Sequence, residues 1–201
     1  NVPVNRVLNA AGFTHIYNVA EQQMPDSEFT TIGYPNPEDK AVFKLGIALA
    51  EKETADIVIA TDPDADRIGV AVRERSGEYS FLTGNMTAAL LCEYILEAER
   101  ENGTLPENGV VIKTIVSTEM ADAIAKAYGA EVINVLTGFK YIGAKIKEFE
   151  KTGEHTFVFG FEESYGYLAG TYARDKDAVL ASMLVCEAAA YYKQKGLTLT
   201  E

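Results

Sequence analysis

Two rhythms of apolar residues run along the chain. Short stretches rich in β-branched and aromatic residues alternate with longer segments whose apolar positions return at helical spacing. A clipped helix, "PVNRVLNAAG", leads to a strand, "THIYNV". A polar loop, "AEQQMPDSEFTTIGYPNP", follows with three of the six prolines and reads as irregular. "PEDKAVFKLGIALAEKE" predicts a helix, with Pro37 near its start and acids in its first turn. "ADIVIA" predicts a short buried strand, and "IGVAVRE" with "EYSFL" a hairpin closed by Ser76-Gly77. "TGNMTAALLCEYILEAERE" predicts a long amphipathic helix, with Thr83 or Asn85 as its cap.

The second half repeats the pattern. "GVVIKTIV", "AEVINVL" and "HTFVFGF" predict strands, separated by the helices "STEMADAIAKAYG" and "TGFKYIGAKIKEFEK". The first of these helices carries a capping-box pattern from Ser117/Thr118 and closes on Gly129. A final helix is predicted in "KDAVLASMLVCEAAAYYKQKG". Between the halves the composition dips to "ENGTLPENG", which places a linker at residues 102–109. The expectation is an α/β chain of two similar domains, residues 1–103 and 104–201, each a mostly parallel mixed sheet covered by helices. In such sheets ligands bind beyond the C-terminal strand ends. "TDPDADR" at 61–67 and "FEESYGY" at 161–167 both fall there.

Composition narrows the function classes. The 201 residues carry a formal net charge of −12, which repels nucleic acids and anionic membranes as general partners. Cys92 and Cys186 stand in apolar, helix-like surroundings and read as buried, reduced thiols. No apolar run approaches the ~18 residues of a membrane span. The chain starts "NVPVNRVL" and ends "LTLTE", and both ends read as cut from something longer.

Asp62, Asp64 and Asp66 stand at alternate positions between two apolar runs, so an extended loop would point all three to one side. Like charges so close repel, more strongly as water is excluded. An EF-hand calcium loop also opens D-x-D-x-D, but it needs glycine at its sixth position and glutamate at its twelfth. Arg67 and Arg73 occupy those positions, and a strand follows instead of a helix. A solvated acidic turn is the bland alternative, yet the flanking strands would pin the loop and keep its charges together. Three hard oxygen donors with spare coordination positions suit Mg²⁺ holding a phosphate oxygen.

In that context the sequence resembles the α-D-phosphohexomutase superfamily, the phosphoglucomutase and phosphomannomutase enzymes. "TDPDADR" resembles the family's metal loop, "TGFK" at 137–140 its T-G-x-K segment, "FEESYGY" its sugar-binding loop, and "RDKD" at 174–177 the segment that follows. "EQQMPDSEFTTIGYPNPE" resembles the stretch upstream of the metal loop. The resemblance covers nearly the whole chain, as the second and third of four domains. It implies Mg²⁺ on Asp62, Asp64 and Asp66, with Arg67 orienting the loop or the phosphate. It implies that Glu162 and Ser164 read sugar hydroxyls, with Glu163 carrying less weight. Thr137, Gly138, Lys140 and Arg174 would bind substrate, and Lys176 would act as general acid or base. His15 and His155 match no family motif and read as structural.

The family's phosphoserine loop, near T-A-S-H-N-P, does not occur in the sequence, nor does its distal phosphate-binding loop. The resemblance therefore implies that domains I and IV supply both, and that the isolated chain is inactive. The expected partners are a sugar phosphate and a sugar bisphosphate, in a cytoplasmic setting. Glucose is favoured by the E-E-S-x-G wording. Phosphomannomutase and phosphopentomutase activities, a non-catalytic metal and sugar-phosphate binding module, and a metal-dependent phosphatase stand as alternatives.

Overall fold

The computed structural model describes residues 2–201. The chain forms two compact units. The first runs to Leu82 and takes back Ala178–Glu201, and the second is Thr83–Asp177.

In the first unit, α1 is Val2–Ala10, α2 is Lys44–Glu53, and the sheet is β1 (Ile57–Thr61), β2 (Ile68–Arg73) and β3 (Tyr79–Leu82). The expected helix from Pro37 begins later. Asp39 accepts from Ala41 N–H and caps a 3₁₀ turn at Lys40–Phe43 that feeds α2. Phe43 and Phe81 meet edge-on at 5.3 Å over Val42 and Ala71 and form the centre of this core. The sheet order is β1-β2-β3 with both pairings antiparallel. This corrects the expectation of a mostly parallel sheet in each domain. The run 14–19, expected as a strand, joins no ladder among the described residues. A β-branched run marks a preference for extended backbone, but only pairing makes a strand.

The second unit contains α3 (Gly84–Glu101), β4 (Gly109–Thr114), α4 (Met120–Ala127), β5 (Glu131–Val135), α5 (Phe139–Thr152), β6 (Thr156–Glu162) and β7 (Gly166–Ala169). The sheet order is β5-β4-β6-β7, with β4, β5 and β6 parallel and β7 antiparallel. Here the expected mixed, mostly parallel sheet is present. Val110 and Ile112 of β4 pack with Phe139, Ile142, Ile146 and Phe149 of α5. Burying each of these large side chains contributes roughly 1.5–3 kcal/mol. α3 and α4 pack against the strands as well, which buries β4 along its whole length.

Residues 102–109, expected to separate two domains, lie inside the second unit. Gly103 takes a left-handed φ of 68°, and Thr104 N–H returns to Glu99 O at 2.8 Å. The polar stretch is thus a helix stop and a short αβ loop. The last helix, α6 (Ala178–Gln194), belongs to the first unit and packs on α1. Among the described residues, no helix is long and apolar enough to cross a membrane.

Candidate functional site

The hairpin between β1 and β2 builds the acidic loop. Asp62 is 5% exposed and anchors it. Its Oδ1 accepts from the backbone N–H groups of Asp66 (3.0 Å) and Arg67 (3.1 Å), and its Oδ2 accepts from Arg67 Nε at 2.8 Å. Ala65 turns the chain with φ 57°, and its carbonyl accepts from the backbone N–H of Ala178, the first residue of α6, at 3.0 Å. One carboxylate oxygen from each of Asp62, Asp64 and Asp66 lies within 4.8 Å of the others. Asp62 is buried, Asp66 half-buried and Asp64 exposed at the tip.

Burial disfavours charge on Asp62, but hydrogen bonds from Arg67 and Asp66 and the Arg67 charge outweigh it and hold the carboxyl below its usual range. Arg67 is itself held in place. Its Nη1 donates to Asn36 Oδ1 (3.3 Å) and pairs with Glu38 Oε1 (3.2 Å). The segment carrying those two residues lies so close that a Cβ on Gly69 would fall 2.4 Å from Pro37 O. Three carboxylates against a single guanidinium leave an excess of negative charge and an all-oxygen donor set. That chemistry fits a hard divalent cation.

In the second unit the C-terminal ends of β4, β5 and β6 share one edge of the sheet. Glu162 ends β6, is 7% exposed, and accepts from Gly138 N–H (3.1 Å) at the start of α5. Burial pushes its carboxyl above the usual range, with smaller upward contributions from Glu163 and Asp175. The Lys176 charge and the Gly138 N–H act in the opposite direction. Lys176 lies against the same turn, where a Cβ on Gly166 would fall 2.3 Å from its Cδ. Its Nζ pairs with Asp175 at 3.1 Å and sits 5.8 Å from the Phe139 ring centroid.

Glu162, Gly138 and Lys176 are therefore brought together. Ser164 is half-buried in the adjoining turn, and Thr137 and Lys140 are exposed beside Gly138. Arg174 is placed differently. Its guanidinium grips both oxygens of Glu150 and the carbonyls of Thr171 and Ala173. Glu150 lies eleven residues along α5 from Phe139, roughly 16 Å at the helical rise.

Several participants carried no signal in the sequence. Asn36 and Glu38 hold Arg67 across some thirty residues. Ser117, expected in a capping box, instead joins Thr114 and Glu163 in a hydroxyl–carboxylate cluster. Thr118 supplies the hydroxyl that accepts from Met120 N–H. A cavity of about 690 Å³ opens beside Ser117, lined by the buried Lys113 with Asp122, Glu119 and Asn134.

Two α/β units with an acidic loop after β1 and a carboxylate turn after β6 belong to a known class. Residues 2–77 match the family signature described as phosphoglucomutase/phosphomannomutase, alpha/beta/alpha domain II, and residues 83–201 match its domain III. The chain belongs to the phosphoglucomutase/phosphomannomutase family. Among individual proteins, it is 39% identical over 195 residues to the phosphoglucomutase of Staphylococcus epidermidis, covering 97% of this chain and 35% of that protein. The chain thus spans about a third of that relative's length. A provisionally named phosphomannomutase from Thermus thermophilus superposes with a TM-score of 0.71 at 24% identity, covering 98% of this chain and 40% of that one. Aspergillus fumigatus N-acetylphosphoglucosamine mutase, in complex with GlcNAc-6P and magnesium, superposes with a TM-score of 0.51 at 17% identity, covering 77% and 38%. At those identities the two likenesses are ones of fold.

Proposed function

We propose that this chain is the central part of a cytoplasmic phosphoglucomutase-type enzyme that interconverts hexose 1-phosphate and 6-phosphate through an enzyme phosphoserine and a bisphosphate intermediate. The observation that carries the reading is the convergence of Asp62, Asp64 and Asp66 at the end of β1, in a chain 39% identical to a protein named phosphoglucomutase. Asp62, Asp64 and Asp66 would hold Mg²⁺. When bound, it would offset the charge on a phosphoryl group in transfer.

The chain's own residues divide the remaining work. Arg67 fixes the loop by gripping Asp62 and is itself steadied by Asn36 and Glu38. Glu162, at the end of β6, and Ser164, in the turn that follows, would read neighbouring sugar hydroxyls in either orientation of the sugar. Gly138, Thr137 and Lys140 lie at the start of α5, where backbone N–H groups and positive charge favour an anion. Lys176, beside Glu162, is the candidate for moving the hydroxyl proton. Arg174 would have to leave Glu150 to meet substrate. Segments corresponding to domains I and IV would supply the phosphoserine and the distal phosphate anchor.

A coupled glucose 1-phosphate assay on the full-length protein tests the reading, with Mn²⁺ relaxation as a second readout. Asp64→Ala should abolish turnover and weaken Mn²⁺ binding. Mn²⁺ binding equal to wild type in that variant would remove the metal assignment. Turnover of mannose or pentose phosphates in preference to glucose phosphates would shift the substrate.

A further inference from the structure

We propose that Glu163 is a positioning residue, and that its carboxylate, tied to the Thr114 and Ser117 hydroxyls at the end of β4, sets the turn that presents Glu162 and Ser164. This rests on the reading of Glu162 and Ser164 as the sugar-facing pair. Glu163 opens the turn that joins β6 to β7 and is half-buried there. Its Oε2 accepts from Thr114 Oγ1 at 2.9 Å and from Ser117 Oγ at 3.3 Å. Thr114 is fully buried and Ser117 is 5% exposed, so the half-buried carboxylate is tied to hydroxyls fixed in the unit's interior.

The same residue is held a second time through its backbone. A Cβ on Gly84, the first residue of α3, would fall 1.9 Å from the Glu163 carbonyl oxygen. Tyr167 Oη closes this contact by donating to Gly84 O at 2.9 Å. Two residues on from Glu163, Tyr165 takes φ 67°, in the left-handed region that a side-chain-bearing residue enters only when its surroundings impose it. The turn is therefore imposed by contacts at Glu163. The hydroxyls of Thr114 and Ser117 also lie 2.7 Å from each other. Removing the carboxylate leaves them paired, so the turn loses a brace while the fold keeps its buried hydrogen bonds.

The test uses Glu163→Ala and Glu163→Gln in the full-length protein. A glutamine amide can still accept from one hydroxyl and donate to the other, so it should preserve the brace. In Glu163→Ala, amide hydrogen exchange across residues 162–166 should quicken, and KM for the sugar phosphate should rise about tenfold with kcat little changed. Glu163→Gln should remain near wild type in both. Unchanged exchange or unchanged KM in Glu163→Ala would overturn the proposal, and so would a Glu163→Gln variant as impaired as Glu163→Ala. If the wild-type protein turns over no hexose phosphate, the reading of function falls, while exchange still decides whether Glu163 braces the turn.

Discussion

Glu162 combines a nearly buried side chain with a carboxyl pushed above its usual range. A carboxyl raised on folding stabilises the fold only while it is protonated. That stability is present below the unfolded value, about pH 4.3, and is lost as pH rises through the folded value. Glu162→Gln keeps the acceptor for Gly138 N–H but removes the buried charge. Its melting temperature should therefore equal or exceed that of wild type at about pH 7.5, with the difference gone near the unfolded value. A variant that melts well below wild type at the higher pH would show that the Lys176 charge outweighs burial. The two thiols make a second case. Burial pushes Cys92 and Cys186 up to about 12, in each case helped by a neighbouring glutamate. Native protein at about pH 8 should react slowly with iodoacetamide at both, and quickly once unfolded. At this scale the sequence showed what a side chain offers more readily than what holds it. The three aspartates and the 162–166 turn stood out by spacing. The engagement of Arg174 with Glu150, and of Ser117 with Glu163, depends on approaches between residues far apart in the chain.

Hairpins and amphipathic helices carry their signals locally, and those were legible. The Ser76-Gly77 closure, the Thr83 cap on α3 and the αβ alternation after residue 109 all follow from short-range patterning. Strand direction and strand partners are not local. "IVIAT" reads equally well in a parallel or an antiparallel sheet, and the run 14–19 has strand composition without a ladder. Element packing also depends on atoms that a residue lacks. Gly84 lets α3 start against the Glu163 carbonyl, and this approach leaves no room for a methyl group. Gly84→Ala should cost about 1–3 kcal/mol as an overpacked contact and lower sugar affinity with it. Gly129→Ala meets nothing within 4 Å, so only its φ of +77° resists, for roughly 1–2 kcal/mol. Urea denaturation of the two variants, with sugar-phosphate binding measured on each, separates the effects. Equal stability loss with equal affinity would show that α3 does not support the turn.

For the whole chain, the serines lack the flanking His-Asn-Pro of the family's phosphoserine loop. Purified alone with Mg²⁺ and glucose 1,6-bisphosphate, the 201-residue chain should therefore show no mutase turnover. Turnover that survives removal of host mutase and disappears in Asp64→Ala would mean that the nucleophile lies within these residues. The family assignment was legible at this scale because four motifs stand in order. The family match keeps residues 83–201 together, as the expected division kept α6 with the second domain, whereas the compact units divide the chain differently. The return of α6 to the first unit is a long-range event, and the polar stretch at 102–109 is a helix stop that resembles a linker.

That return gives the chain a mechanical hierarchy. The second unit is inserted between two segments of the first, so tension applied at Val2 and Glu201 passes through the first unit before it reaches Thr83 or Asp177. Stripping α6 from α1, and parting the Lys193–Asp56 and Arg75–Glu201 ion pairs on the same unit, would come first. In an optical trap the chain should extend in two steps in a fixed order, first unit and then second. Handles moved to Thr83 and Asp177 should load the second unit directly and abolish that order.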